Sequence, residues 1–180
     1  MISKLSGALK GACYKLRRGR ALHFGGIPSM DRNTRINLKK GNLSIGRGFR
    51  MKPGAYIAVV NGGNLAVGDH VAINRNSMII CHESITIGDN CFFGPNVMIY
   101  DHDHKFGYDG IVPGYRTSPV TIGKNCWLGA GVVVLRGTRI GEGCVIGAGC
   151  VVKGDIPPHS QVTANRHLTV TPLALPERKA

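Results

Sequence analysis

The chain has 180 residues, 43% of them apolar, 18% charged and 6% aromatic, enough for one domain with a real core and too few for two large ones. Its formal charge of +13 is lopsided: residues 1–52 hold thirteen Lys and Arg against Asp31 alone, while the rest of the chain balances ten basic residues against nine acids. No zinc-finger spacing, helix-turn-helix pattern or aromatic RNA-binding motif accompanies that charge, so nucleic acid is not the expected partner, and an anionic membrane surface or polyanionic ligand is.

In chain order, the first predicted element is a basic amphipathic helix. Ile2, Leu5, Leu9, Cys13 and Leu16 recur at helical spacing with Lys4, Lys10, Lys15, Arg17 and Arg18 elsewhere on the wheel, although Gly7, Gly11 and Gly19 weaken it. Such a helix either packs on the body of the protein or makes a peripheral contact with an anionic membrane. The segment lacks the apolar run of a secretory signal, and nothing approaches the length of a spanning helix. Six cysteines without a CxxC pair read as reduced, buried small residues. The expected location is therefore cytoplasmic, with the membrane's inner face as a peripheral option. Residues 1–42 form the basic helix and lead-in.

From residue 43 a six-residue rhythm takes over. Ile122, Leu128, Val134, Ile140, Ile146 and Val152 are six apart, and Cys126, Val132, Thr138, Cys144, Cys150 and Ile156 follow each by four. The same slots recur at Val67/Val71, Ile73/Ser77, Ile87/Cys91 and Phe93/Val97. A period of six fits neither a helix nor a two-period sandwich strand. It fits short strands alternating with turns around a three-sided prism, with aliphatic residues inward and Gly, Asn and Asp at the corners. The expected domain is all-β, about five coils over 43–158, roughly 24 Å tall at ~4.8 Å per coil, followed by a tail at 159–180.

The coil openings Ile45-Gly46, Val67-Gly68, Ile87-Gly88, Ile122-Gly123 and Ile140-Gly141 lie 22, 20, 35 and 18 residues apart. The third interval alone carries a large excess over a three-hexad coil, and it must leave the prism as an external loop, 101–119. That loop begins "DHDH". A histidine with an ordinary pKa of about 6.5 beside carboxylates suits a general base; the same residue types suit a metal site or a solvated loop tip.

"ITIGDNCFFGPNVMIY" and "VTIGKNCWLGAGVVVLRGTRIGEGCVIGAGCVVKGDIPP" resemble the hexapeptide-repeat acyltransferases, the left-handed parallel β-helix family that includes galactoside, maltose and xenobiotic acetyltransferases. The resemblance spans about Leu43 to Pro158 and implies the left-handed sense, a homotrimer with the cofactor groove between neighbouring prisms, and acetyl-CoA as co-substrate without a metal. It places the catalytic histidine seven residues after the valine matching Val97, at His104. Counting back from the tryptophan matching Trp127 gives position 103, so His102 is the second candidate base.

By the same resemblance Asn74 matches an acceptor-contacting asparagine, whose ordinary role at a prism corner is structural. His82 replaces an acidic residue expected near the next corner, which argues against a simple galactoside. Asp101 and Asp103 flank the candidate bases. Trp127 lies beside the acyl groove, Ala130 and Ala148 form its small-residue edge, and Lys153 and Arg166 meet the nucleotide phosphates, although the family's usual phosphate motif is altered in "VVKGDIPP" and "TANRHLTV". Cysteines on inward slots exclude a covalent acyl-enzyme, because an apolar setting raises the thiol pKa and blocks access. The expected activity is transfer of acetyl to a hydroxyl of a saccharide, a surface polysaccharide or lipid-linked sugar. The alternatives are a metal-dependent hydratase of the carbonic-anhydrase-like β-helix type and a non-catalytic assembly prism.

Overall fold

A computed structural model describes residues 21–108 and 110–164. The expected N-terminal helix, Cys13 and Arg166 lie outside the described residues.

Among the described residues there is no α-helix; short parallel strands wind into three faces. Faces A and B have seven strands each and face C six, every pair parallel and in register. This is a solenoid consistent with a left-handed β-helix. No helix among the described residues is long and apolar enough to cross a membrane.

The inward column of face A runs Ile45, Val67, Ile87, Ile122, Ile140 and Ile156. That of face B runs Met30, Met51, Ile73, Phe93, Leu128, Ile146 and Val162, and face C contributes Ile36, Ile57, Ile79, Ile99, Val134 and Val152. Each hexad aliphatic therefore packs on its counterpart one coil away, and all three columns meet in one core. Burying such a side chain contributes about 1.5–3 kcal/mol, so the repeat itself is the source of stability. Asn61, Asn76, Asn90, Asn96 and Asn125 sit at corners with φ between 55° and 58°, a left-handed conformation that asparagine tolerates better than most residues.

The prism starts earlier and ends later than the hexads suggest. Strands Leu22–Phe24, Ser29–Met30 and Arg35–Lys39 already belong to faces A, B and C, and Gln161–Val162 closes face B. Longer, uneven turns and methionines on the inward slots hide the period in the first coils. Much of the basic lead-in is consequently prism surface.

The interruption is a two-stranded antiparallel arm, His102–Gly107 against Gly110–Thr117, with a register shift between His104 and Lys105. Its neck is closed where Ser118 N–H donates to Asp101 C=O at 2.9 Å, so the chain leaves and re-enters the prism at one corner.

Candidate active site

That corner joins face C to face A, and it concentrates buried polar chemistry. Asp101 is fully buried. Its carboxylate accepts the backbone N–H groups of His82 at 2.8 Å, Glu83 at 2.7 Å and Ser84 at 2.9 Å, all one coil away. A carboxylate fixed by three amides can be dry because its charge is hydrogen-bonded rather than stranded.

The same carboxylate reaches His102, whose Nδ1 lies 3.2 Å from Asp101 Oδ1 with the side chain only 12% exposed. If Nδ1 carries the proton donated to Asp101, Nε2 keeps its lone pair. His102 is stacked on His82, ring centroids 3.7 Å apart and 13° from parallel. Tyr115 from the returning strand of the arm meets both edge-on, at 4.4 Å from His82 and 5.2 Å from His102. Asn61 Nδ2 stands 3.1 Å from His82 Nδ1, an arrangement that suits an unprotonated acceptor nitrogen. The His82 pKa is lowered, chiefly by burial and next by the neighbouring His102 and His104, with Asp101 opposing.

His104 lies farther out on the arm, exposed, its ring 4.9 Å from Tyr115. Asp103 pairs with Arg136 Nε, and the same guanidinium is 3.4 Å from Ser118 Oγ, which ties the arm's base to the next coil.

The remaining expected residues lie elsewhere. Asn74, Ala130 and Ala148 occupy the corner between faces B and C, a column marked by Asn96 N–H to Arg75 C=O, Gly131 N–H to Pro95 C=O and Gly149 N–H to Ala130 C=O at 2.8–2.9 Å. Ala130 and Ala148 are exposed there, leaving backbone open to a close-lying ligand. Trp127, 54% exposed, stands on adjoining face B beside Phe92 and Val145. Asn74 Oδ1 accepts Arg75 N–H at 2.8 Å, the structural role of a corner asparagine. Lys153 precedes Gly154 at the face C–face A corner, not with Ala130 and Ala148. The structure thus gathers His102, His82, Asp101 and Asp103 on one edge and Asn74, Ala130 and Ala148 on another.

Cys81, Cys91, Cys126, Cys144 and Cys150 are buried free thiols. Burial raises Cys81. Cys91 and Cys126 are neighbours that shift each other, Cys91 upward and Cys126 downward, while their Sγ atoms donate to Gly123 C=O and Gly141 C=O at 3.1 Å. Burial acts to raise both thiols, and Cys126 is 1% exposed with no access to a substrate. Among the described residues no three His, Cys, Asp or Glu side chains are arranged to hold a metal ion; His82 and His102 are stacked rather than converging.

Tyr115, Arg136 and Asn61 were not singled out from the sequence. Each enters from a different coil or the far strand of the arm, and no local motif marks them.

Two family models match the coils, "Bacterial transferase hexapeptide (six repeats)" over 119–154 and "Hexapeptide repeat of succinyl-transferase" over 84–99. The chain is 32% identical over 154 residues to galactoside O-acetyltransferase of Escherichia coli (strain K12), covering 83% of this chain and 75% of that protein. It belongs to the hexapeptide-repeat acetyltransferase family. It is also 35% identical over 132 residues to the putative lipopolysaccharide biosynthesis O-acetyl transferase WbbJ of the same organism, 68% of this chain and 67% of that one. Some curated relatives are longer, the chain spanning 39% of the length of one probable acetyltransferase. Among solved structures, AntD, an N-acyltransferase from Bacillus cereus in complex with dTDP and 3-hydroxybutyryl-CoA, aligns over 81% of this chain and 80% of its own with a TM-score of 0.64 at 17% identity, a likeness of fold.

Proposed function

We propose that the chain is an acetyl-CoA-dependent O-acetyltransferase acting on a saccharide hydroxyl, with His102 as the general base. The observation that carries this reading is the Asp101–His102 pair at the neck of the one long excursion. Asp101 orients the imidazole and favours the Nδ1–H tautomer. His102 Nε2 then takes the acceptor's hydroxyl proton as that oxygen attacks the thioester carbonyl. Collapse of the tetrahedral species expels the coenzyme thiolate, which receives the proton from the imidazolium. No acyl-enzyme is required, in keeping with the buried thiols. A neutral His82 against the ring allows the stacked pair to hold the single positive charge that forms.

The resemblance favours His104 over His102. The geometry supports the reverse order, because among the described residues no carboxylate orients His104, which is exposed on the arm, whereas His102 is held on two sides. His104 would then contact the acceptor.

Trp127, Ala130 and Ala148 fit a pantetheine arm lying along the face B–face C corner, since an extended chain needs an open backbone edge and small side chains. That edge is separate from His102 in one prism. Assembly of copies, the expected homotrimer, would bring the histidine corner of one prism to the alanine corner of the next. The sugar acceptor is supported by the names of the galactoside and lipopolysaccharide relatives.

The test is thiol release from acetyl-CoA against a panel of saccharides, with molar mass measured by light scattering. Acetylated sugar from a trimer is expected. Turnover undiminished in His102→Gln would defeat the assignment of the base, and a fully active monomer would defeat the shared groove.

A further inference from the structure

The outer side of face C holds a groove of about 720 Å³ that the reaction above leaves unused. Asn33, Arg35, Asn37, Tyr56 and Met78 supply its functional side chains. Alternating burial along Arg35–Lys39 turns Ile36 and Leu38 into the core and Arg35 and Asn37 outward.

Register then sets a continuous path. Arg35 stands beside Tyr56, Tyr56 beside Met78, and Met78 beside Met98. The Tyr100 hydroxyl is 3.7 Å from Met78 Sδ and 3.4 Å from Met98 Sδ, and its ring is edge-on to His102 at 6.0 Å. Successive neighbours on face C thus link the proposed base to Arg35. At ~4.8 Å per coil, Arg35 lies three steps, about 14 Å, along the prism from Met98.

Arg35 is the one charged side chain among the groove's lining residues, and among the described residues no carboxylate lies within ion-pair distance of it. Asn37 Nδ2 donates to the Tyr56 hydroxyl at 3.3 Å, which holds an amphipathic ring next to the Arg35 guanidinium. A ring that presents a face to sugar C–H groups, amides for hydroxyls, and a guanidinium together suit an anionic carbohydrate.

We propose that this groove is a distal subsite for an anionic extension of the acceptor, with Arg35 as the group that binds its carboxylate or phosphate. The proposal rests on the saccharide O-acetyltransferase reading and sharpens its substrate class. The acceptor is a glycan of several units, or a sugar joined to phosphate, long enough to place a hydroxyl at His102 and a negative charge at Arg35. A free monosaccharide cannot bridge the two.

Three probes decide it: a neutral trisaccharide, the same trisaccharide ending in a glucuronate carboxylate, and the same ending in a 1-phosphate. The wild-type chain should show at least a tenfold higher kcat/KM for one charged form than for the neutral one, and the better of the two identifies the anion. Arg35→Gln should bring that ratio close to one without raising KM for acetyl-CoA, and Arg35→Lys should restore part of it. A wild-type ratio near one overturns the proposal, as does a parallel rise in KM for acetyl-CoA, which would assign Arg35 to the nucleotide phosphates. Because Arg35 is exposed, the variants should fold. If no sugar is acetylated, the parent reading fails, and calorimetric titration of the charged and neutral trisaccharides into wild type and Arg35→Gln still decides the groove without turnover. Equal affinity for both forms, or none for either because a second copy covers face C, overturns it.

Discussion

The His82 and His102 imidazoles lie face to face at 3.7 Å although twenty positions and one coil separate them in the chain. The stack is set by Asp101, which fixes the backbone of His82 and the ring of His102 with one carboxylate. Orientation of the proposed base is thus a property of two coils in register rather than of the "DHDH" sequence.

Acid sensitivity should follow from that stack. The His82 pKa is lowered in the folded chain, so between the folded value and the denatured value of about 6.5 the denatured state binds more protons. The stability tied to neutral His82 is complete above about pH 6.5 and is lost as pH falls through the folded pKa. Thermal melts of wild type and His82→Asn at pH values on either side of that window should show a larger fall in Tm for wild type. An equal fall in both would remove His82 as a source of acid lability.

Turnover should separate the two histidines. His102→Ala is expected to lower kcat by a factor of about 10² or more, the usual size of a lost general base, with the β-strand circular dichroism signal retained. His104→Ala should act mainly on the KM of the acceptor. The opposite pattern would return the role of base to His104.

Asp101 should matter to folding as well as to rate. Asp101→Ala leaves three half-buried corner N–H groups without their acceptor and should cost on the order of 3 kcal/mol in urea unfolding. Asp101→Asn keeps one carbonyl acceptor and should cost less, yet still lower kcat, because an amide stabilises a developing imidazolium poorly. A variant with full stability and reduced kcat would make Asp101 purely catalytic; one with reduced stability and full kcat would make it purely structural.

Close stacking of coils has its own test. A Cβ at Gly88 would stand 2.5 Å from Lys124 N, against backbone that cannot turn aside, so Gly88→Ala should destabilise by about 2–3 kcal/mol through overpacking. At Gly107 the nearest atom to an added Cβ is Val112 Cγ1 at 3.4 Å, and Gly107→Ala should change stability by no more than about 0.5 kcal/mol. Denaturant midpoints of the two variants make the comparison.

The prism itself was legible from the sequence because its code is local. Ile122, Leu128, Val134, Ile140, Ile146 and Val152 each announce an inward position by spacing alone, and all six are buried. The interruption after Tyr100 was equally plain. The coil before residue 43 was missed where Met30 takes an inward slot and Asn33 and Lys40 form irregular corners, since uneven turns blur a six-residue period.

What the sequence by itself determined was the period, the inward face and the place where the chain departs from the prism, all of which depend on neighbours within a few residues. Tertiary structure alone decided which residues share an edge: Asp101 and Tyr115 with His102, but Ala130 with Asn74 on the other side of face C, and Lys153 apart from the alanines. The physical reason is that residues in adjacent coils touch through parallel register across intervals of unequal length, so the partners of a corner side chain are fixed by coil stacking and by the point at which the arm rejoins the prism.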